Sequence, residues 1–147
     1  MRKVLFRAKS VLTNGWIEGY GVKEVDDKKA RLYTDSGFYE VWKETIGQAI
    51  NFRYGYVSNE FRDHQFFEGD IIVCCKLTEK VEYLVGWFEY KDETNSFVFV
   101  TEKLKKRDMY IPIIYLININ YLGNMTDNKE LLDDEKYITE QIEKIKI

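Results

Sequence analysis

Along the first 48 residues the apolar positions come in short runs broken by turn residues. Val4 and Phe6 alternate with Lys3, Leu5 and Arg7, a pattern that predicts an opening strand. Asn14-Gly15 then separates it from Trp16-Ile17-Glu18-Gly19-Tyr20-Gly21. Asn-Gly between apolar runs predicts a hairpin, because both residues accept φ > 0. Gly19 and Gly21, interleaved with Trp16, Ile17 and Tyr20, predict a bent or bulged strand. Ala30 to Thr34 and Phe38 to Trp42 flank the turn Asp35-Ser36-Gly37.

The second half is more regular. Ile71 to Cys75, Val81 to Tyr90 and Ser96 to Thr101 predict three strands, the last two joined by the polar loop Lys91 to Asn95. Met109 to Leu122 reads as one long apolar strand, with Ile113, Tyr115, Ile117, Ile119 and Tyr121 at a period of two. Pro112 removes a ladder donor and so marks an edge or a bulge. Asp127 stands three before Glu130, a capping-box variant, and Leu131, Ile138, Ile142 and Ile145 form a narrow helical stripe. That stripe docks on the sheet or pairs with another copy. The expected fold is therefore mainly β. One or two small SH3-like or barrel-like units of short antiparallel strands precede a C-terminal helix. Within a single domain of residues 1–147, subdomains of about 1–48 and 66–125 are joined by a connection at 49–65 and followed by a helix at 126–147.

The connection is the irregular part. It mixes Phe52, Tyr54, Tyr56 and Phe61 with polar residues and has no clean period. Long connections without regular structure are uncommon unless they have a role, so this segment is a place to look for a contact surface.

Composition narrows the classes. Aromatic residues make up 16% of the chain, in keeping with rings packed on pleated sheets. No apolar run reaches the roughly 18 residues of a membrane span. Lys plus Arg is 22 and Asp plus Glu 25, a net charge of −3, so the chain is not a strongly basic coat for nucleic acid. The charge is uneven: residues 1–31 hold 8 basic and 4 acidic side chains. The segment Met1 to Arg7 lacks the apolar stretch of a signal peptide, and Cys74 and Cys75 are adjacent and unsuited to pairing. Both point to a reducing, cytoplasmic setting.

Three stretches, in order, resemble the YopX family of phage and prophage proteins. The opening Met1-Arg2-Lys3-Val4-Leu5-Phe6-Arg7-Ala8 is similar to that family's short basic start. Tyr39 to Gln48, with Thr45-Ile46-Gly47-Gln48, followed by Phe67-Glu68-Gly69-Asp70-Ile71-Ile72, resembles its central block. Tyr121-Leu122-Gly123-Asn124 through Leu132 resembles its terminus. The chain departs from the family pattern in the longer link at 49–66 and in Lys129, where the family has Pro. The resemblance implies a mostly β accessory protein of a phage or integrated element, and it brings no catalytic residues. Gly47, Gln48, Glu68, Gly69, Asp70, Gly123 and Asn124 are read as structural positions of its motifs.

Three functions are weighed. The favoured one is a non-catalytic binding and oligomerising module whose partners are a second copy of the chain or a host or phage protein. The alternative is nucleic-acid binding through a local basic-aromatic patch. Its residues would be Arg2, Lys3, Arg7, Trp16, Tyr20, Phe52, Tyr54, Tyr56, Lys105, Lys106 and Arg107. A metal-dependent hydrolase, using Glu60, Asp63, Glu68 or Asp70 beside the single His64, ranks last. No catalytic or metal-binding residue, cofactor or membrane partner is expected.

Overall fold

The computed structural model describes residues 4–52, 56–101 and 109–146. The protein is mainly β, with antiparallel sheets and, among the described residues, one α-helix, and it divides into two compact units, Met1–Ile50 and Asn51–Ile147.

In the first unit, β1 (Phe6–Lys9) pairs with β2 (Trp16–Gly19) through a turn in which Asn14 takes φ 58°. The chain then breaks at Tyr20 and continues as β3 (Gly21–Glu24), as the interleaved glycines predict. β3, β4 (Lys29–Thr34) and β5 (Gly37–Trp42) form a three-stranded sheet, and β6 (Gly47–Ile50) returns beside β1. The two sheets face one small core of Ala8, Ala30, Leu32 and Val41, with Phe6, Ile17 and Ile46 packed against it. They meet through a bridge between Ser10 and Val41 and through the Tyr20 N–H, which donates to the Tyr33 carbonyl at 2.9 Å. The unit is barrel-like without being a closed barrel.

The second unit is built on one five-stranded antiparallel sheet. Besides the short β7 (Phe66–Phe67), its strands are β8 (Asp70–Leu77), β9 (Val81–Lys91), β10 (Ser96–Thr101), β11 (Met109–Pro112) and β12 (Leu116–Asn124). The sheet order is β11-β10-β9-β8-β12. β8 is buried on both faces, which is why Ile71-Ile72-Val73-Cys74-Cys75 has no polar alternation. Gly86 is required where β9 and its neighbour β10 come close: a Cβ there would strike the Val100 carbonyl oxygen.

The single strand expected over Met109 to Leu122 is instead two strands on opposite edges of this sheet. Pro112, at φ −57°, ends β11 and leads into a 3-10 turn over Ile113–Tyr115, which releases the chain to cross to β8. The period of two also fails inside β12. Asn118 takes φ 50°, the register slips between Ile117 and Asn120, and the buried positions become Leu116 and Ile119.

The helix expected over 126–147 is shorter. A 3-10 segment spans Lys129–Asp133, and α1 covers Glu135–Ile145. Its cap is Asp134, whose Oδ1 accepts the Tyr137 N–H at 3.0 Å. Asp127 is occupied elsewhere: its carboxylate accepts from Asn124 Nδ2 at 3.3 Å. The buried Asn124 turns the chain first, because its own Oδ1 accepts the N–H groups of Thr126 and Asp127.

Candidate functional site

The outward face of the first unit carries the densest chemistry. Alternation along β1 sends Phe6 and Ala8 to the core and Arg7 and Lys9 outward. Lys9 pairs with Trp16, and both cations sit over that indole: the Arg7 guanidinium carbon is 4.5 Å and Lys9 Nζ 5.3 Å from its centroid. The Lys9 backbone is held by its N–H, which donates to Thr45 Oγ1 at 2.8 Å.

A second group lies on β4 and β5. Ala30 and Leu32 point inward, so Lys29, Arg31 and Tyr33 point outward. Their partners across the register are Trp42, Glu40 and Phe38. Tyr33 and Phe38 are in ring contact at 5.9 Å, the Arg31 guanidinium carbon is 4.6 Å from the Phe38 centroid, and Lys29 Nζ is 5.8 Å from that of Trp42. Phe38 is 53% exposed, so its ring is open to a partner on one side. Lys23, opposite Arg31 on β3, adds another cation to the same row, and Glu40 is the carboxylate on it. The Ser10–Val41 bridge sets Lys9 and Trp42 at neighbouring positions, one residue outside the bridged pair, and so joins the two groups into one surface. Among the described residues this surface thus holds four cation-over-ring contacts within about 6 Å, two of them on Trp16.

Of the residues singled out in the sequence, Arg7 and Trp16 are thus brought together. Tyr20 is half-exposed at the bend between β2 and β3. Arg2, Lys3, Tyr54, Lys105, Lys106 and Arg107 lie outside the described residues. Phe52 and Tyr56 belong to a different place. With Asn51, Ile113 and Ile114 they line a shallow pocket of about 270 Å³ in the second unit. Phe52 also fills space, with its ring 5.4 Å from those of both Phe66 and Phe88. The segment around Tyr56 is pinned to β12, because its carbonyl accepts the Ile119 N–H at 3.1 Å. Sequence reasoning missed Lys29, Arg31, Phe38 and Trp42. The signal was present in Lys29-x-Arg31-x-Tyr33 and Phe38-x-Glu40-x-Trp42, two runs whose every second residue is charged or aromatic.

Two of the four carboxylates near His64, Glu68 and Asp70, do structural work, while Glu60 and Asp63 are exposed. Asp70, fully buried, accepts the Phe67 N–H at 2.7 Å, and Gly69 between them takes φ +89°. Glu68 accepts the Tyr90 N–H at 3.4 Å. His64 is set among rings, 4.3 Å from Tyr121 and 4.7 Å from Phe66. Among the described residues no group of three or more His, Cys, Asp or Glu is gathered as a metal site. Gly47 and Gln48 pair with Arg7 and Phe6 along β6, and the Asn124 N–H next to Gly123 donates to Asn128 Oδ1 at 3.1 Å. Cys74 and Cys75 are free and buried. Burial pushes both thiols up, and Cys75 pushes Cys74 up further, so neither is a ready nucleophile. No helix among the described residues is long and apolar enough to cross a membrane.

No family model matches the chain, no curated protein matches it, and no solved structure matches it.

Proposed function

We propose that the chain is a non-catalytic binding protein, the accessory role that its likeness to the phage and prophage YopX family implies. The observation that carries this reading is the outward face of β1, β2, β4 and β5, where Arg7, Lys9, Lys29 and Arg31 lie over exposed or half-exposed rings. Side chains of this kind suit binding: they offer large apolar area beside positive charge. The buried polar chemistry of the second unit supports the reading from the other side, because Asp70 and Glu68 are already hydrogen-bonded to backbone.

Site-specific photocrosslinking tests it. A benzophenone side chain is placed at Phe38 or Trp16 in cells that carry the gene, and at the exposed Glu140 as a control. Adducts from Phe38 and Trp16 but not from Glu140 are expected. Their absence at both positions overturns the proposal.

A second reading, self-association, is favoured by α1. None of its side chains is fully buried: Ile138, Ile142 and Ile145 are partly buried where α1 packs along β8 and β9, which leaves part of the stripe for a second copy. Light scattering should then give a mass of at least twice 17.6 kDa, falling to 17.6 kDa in Ile138→Asp. A monomer at high concentration rules it out.

A further inference from the structure

We infer that the outward face of β3, β4 and β5 is a stacking platform for single-stranded nucleic acid, an inference that rests on the binding role proposed above. Three features of this face converge on that ligand. The first is an exposed aromatic pair: Tyr33 and Phe38 are cross-strand neighbours, 40% and 53% exposed, on the side of the sheet away from the core, with their rings tilted at 52° to each other. Bases stack on such rings whatever their sequence, and only an unpaired base exposes the face that stacks.

The second feature is charge. The adjoining row holds Lys23 and Arg31, the next holds Lys29, and Glu40 is the carboxylate among them. On the outward strand positions three cations thus stand against one carboxylate, which lies 3.8 Å from Lys29 Nζ, although the whole chain carries −3. That excess suits a phosphate backbone running beside the stacked bases. The third feature is continuity. Past Trp42 the surface leads to Lys9, Arg7 and Trp16, so a strand longer than the sheet would meet further rings and cations.

A second copy of the chain does not suit this face. A two-fold contact through it would bring together two patches on each of which Lys23, Lys29 and Arg31 outnumber Glu40, and like-charged patches facing each other are costly. Neither does a duplex, whose stacked bases hide the surfaces that Tyr33 and Phe38 would engage.

The test is fluorescence anisotropy on the full chain with labelled oligothymidylate and oligouridylate. Duplex DNA and polyglutamate serve as competitors. Binding to the single strands is expected, with log affinity falling by about 0.7 per tenfold rise in salt for each phosphate neutralised. Phe38→Ala should weaken binding about 5- to 150-fold, the range for loss of one stacked base. Arg31→Gln should flatten the salt slope by about 0.7. Both side chains are on the solvent face, and circular dichroism of each variant confirms that it folds.

No binding at low salt overturns the inference, as does binding that Phe38→Ala leaves unchanged. Competition by polyglutamate as strong as by the oligonucleotide also overturns it, since that marks a site for any polyanion. If photocrosslinks from Phe38 persist but carry only protein, this inference fails while the broader binding role stands.

Discussion

The guanidinium carbon of Arg31 lies 4.6 Å from the centre of the Phe38 ring, on the solvent side of a sheet whose other side is a closed apolar core. The pair belongs to neighbouring strands and is diagonal: Arg31 is registered with Glu40, and Phe38 with Tyr33. The contact holds the arginine along the ring while leaving half of Phe38 open. A double-mutant cycle of Arg31→Gln and Phe38→Leu should give a coupling of about 0.5–1 kcal/mol, typical of exposed cation–π pairs. A coupling of zero by urea unfolding would show that the pair is incidental.

Asp70→Ala is expected to destabilise the second unit by about 1.5–3 kcal/mol. The substitution removes a charged acceptor from the buried Phe67 N–H and leaves that donor unpaired. Asp70→Asn retains an acceptor oxygen and should lose less. Urea midpoints for the two variants, compared with the parent, decide between them.

Gly86→Ala should be costlier than a typical glycine substitution within a strand. Its Cβ would meet the Val100 carbonyl oxygen at 2.0 Å and the Phe99 ring at 2.8 Å, so backbone must move. A loss of about 1–3 kcal/mol or more is expected from overpacking. Thermal unfolding within a degree of the parent would contradict the close approach.

The buried thiols make stability fall at alkaline pH. In the unfolded chain Cys74 and Cys75 titrate near the ordinary value of 9.0, while burial raises both in the folded protein. Above pH 9 the unfolded state therefore holds fewer protons than the folded one, and stability declines by up to about 1.4 kcal/mol per pH unit for Cys74, with Cys75 acting in the same direction. Below that pH both states are protonated at these positions, and the thiols add no slope. Cys74→Ala should reduce the decline between pH 9 and 10, measured by urea unfolding. Iodoacetamide should label Cys74 only after denaturation.

Asp134→Ala should cost about 1 kcal/mol of helix stability, because it removes the cap that accepts the Tyr137 N–H. Asp127→Ala should leave α1 intact and instead loosen the turn around Asn124. Circular dichroism at 222 nm separates the two, with only Asp134→Ala lowering helicity.

Much of the fold was legible because it is local. The loop before Trp16 uses the positive φ that Asn14 accepts and the Asp35-Ser36-Gly37 turn that of Gly37, while the bend at Gly19 rests on its missing side chain, because a Cβ there would strike the Tyr33 carbonyl oxygen. The run from Met109 to Leu122 was misread because its break needs only Pro112 and the positive φ of Asn118, neither of which disturbs the apolar count. The helix start was misplaced for a similar reason. Asp127 has the right spacing to cap, but Asn124 uses the backbone donors there first, and Asp134 takes the role seven residues later.

By itself the sequence determined the mainly β class, the alternation on each strand, the turns and the basic lean of the opening residues. Those properties depend on residues within a few positions of one another. Tertiary structure decided which outward residues meet. Arg31 reaches Phe38, and Lys9 neighbours Trp42, only because antiparallel register and the Ser10–Val41 bridge bring distant strands side by side. The same pairing placed Asp70 in the core beside the Phe67 N–H and left the aromatic face of β4 and β5 open to solvent. Strand alternation says which way a side chain points, but only the pairing of strands says what it faces.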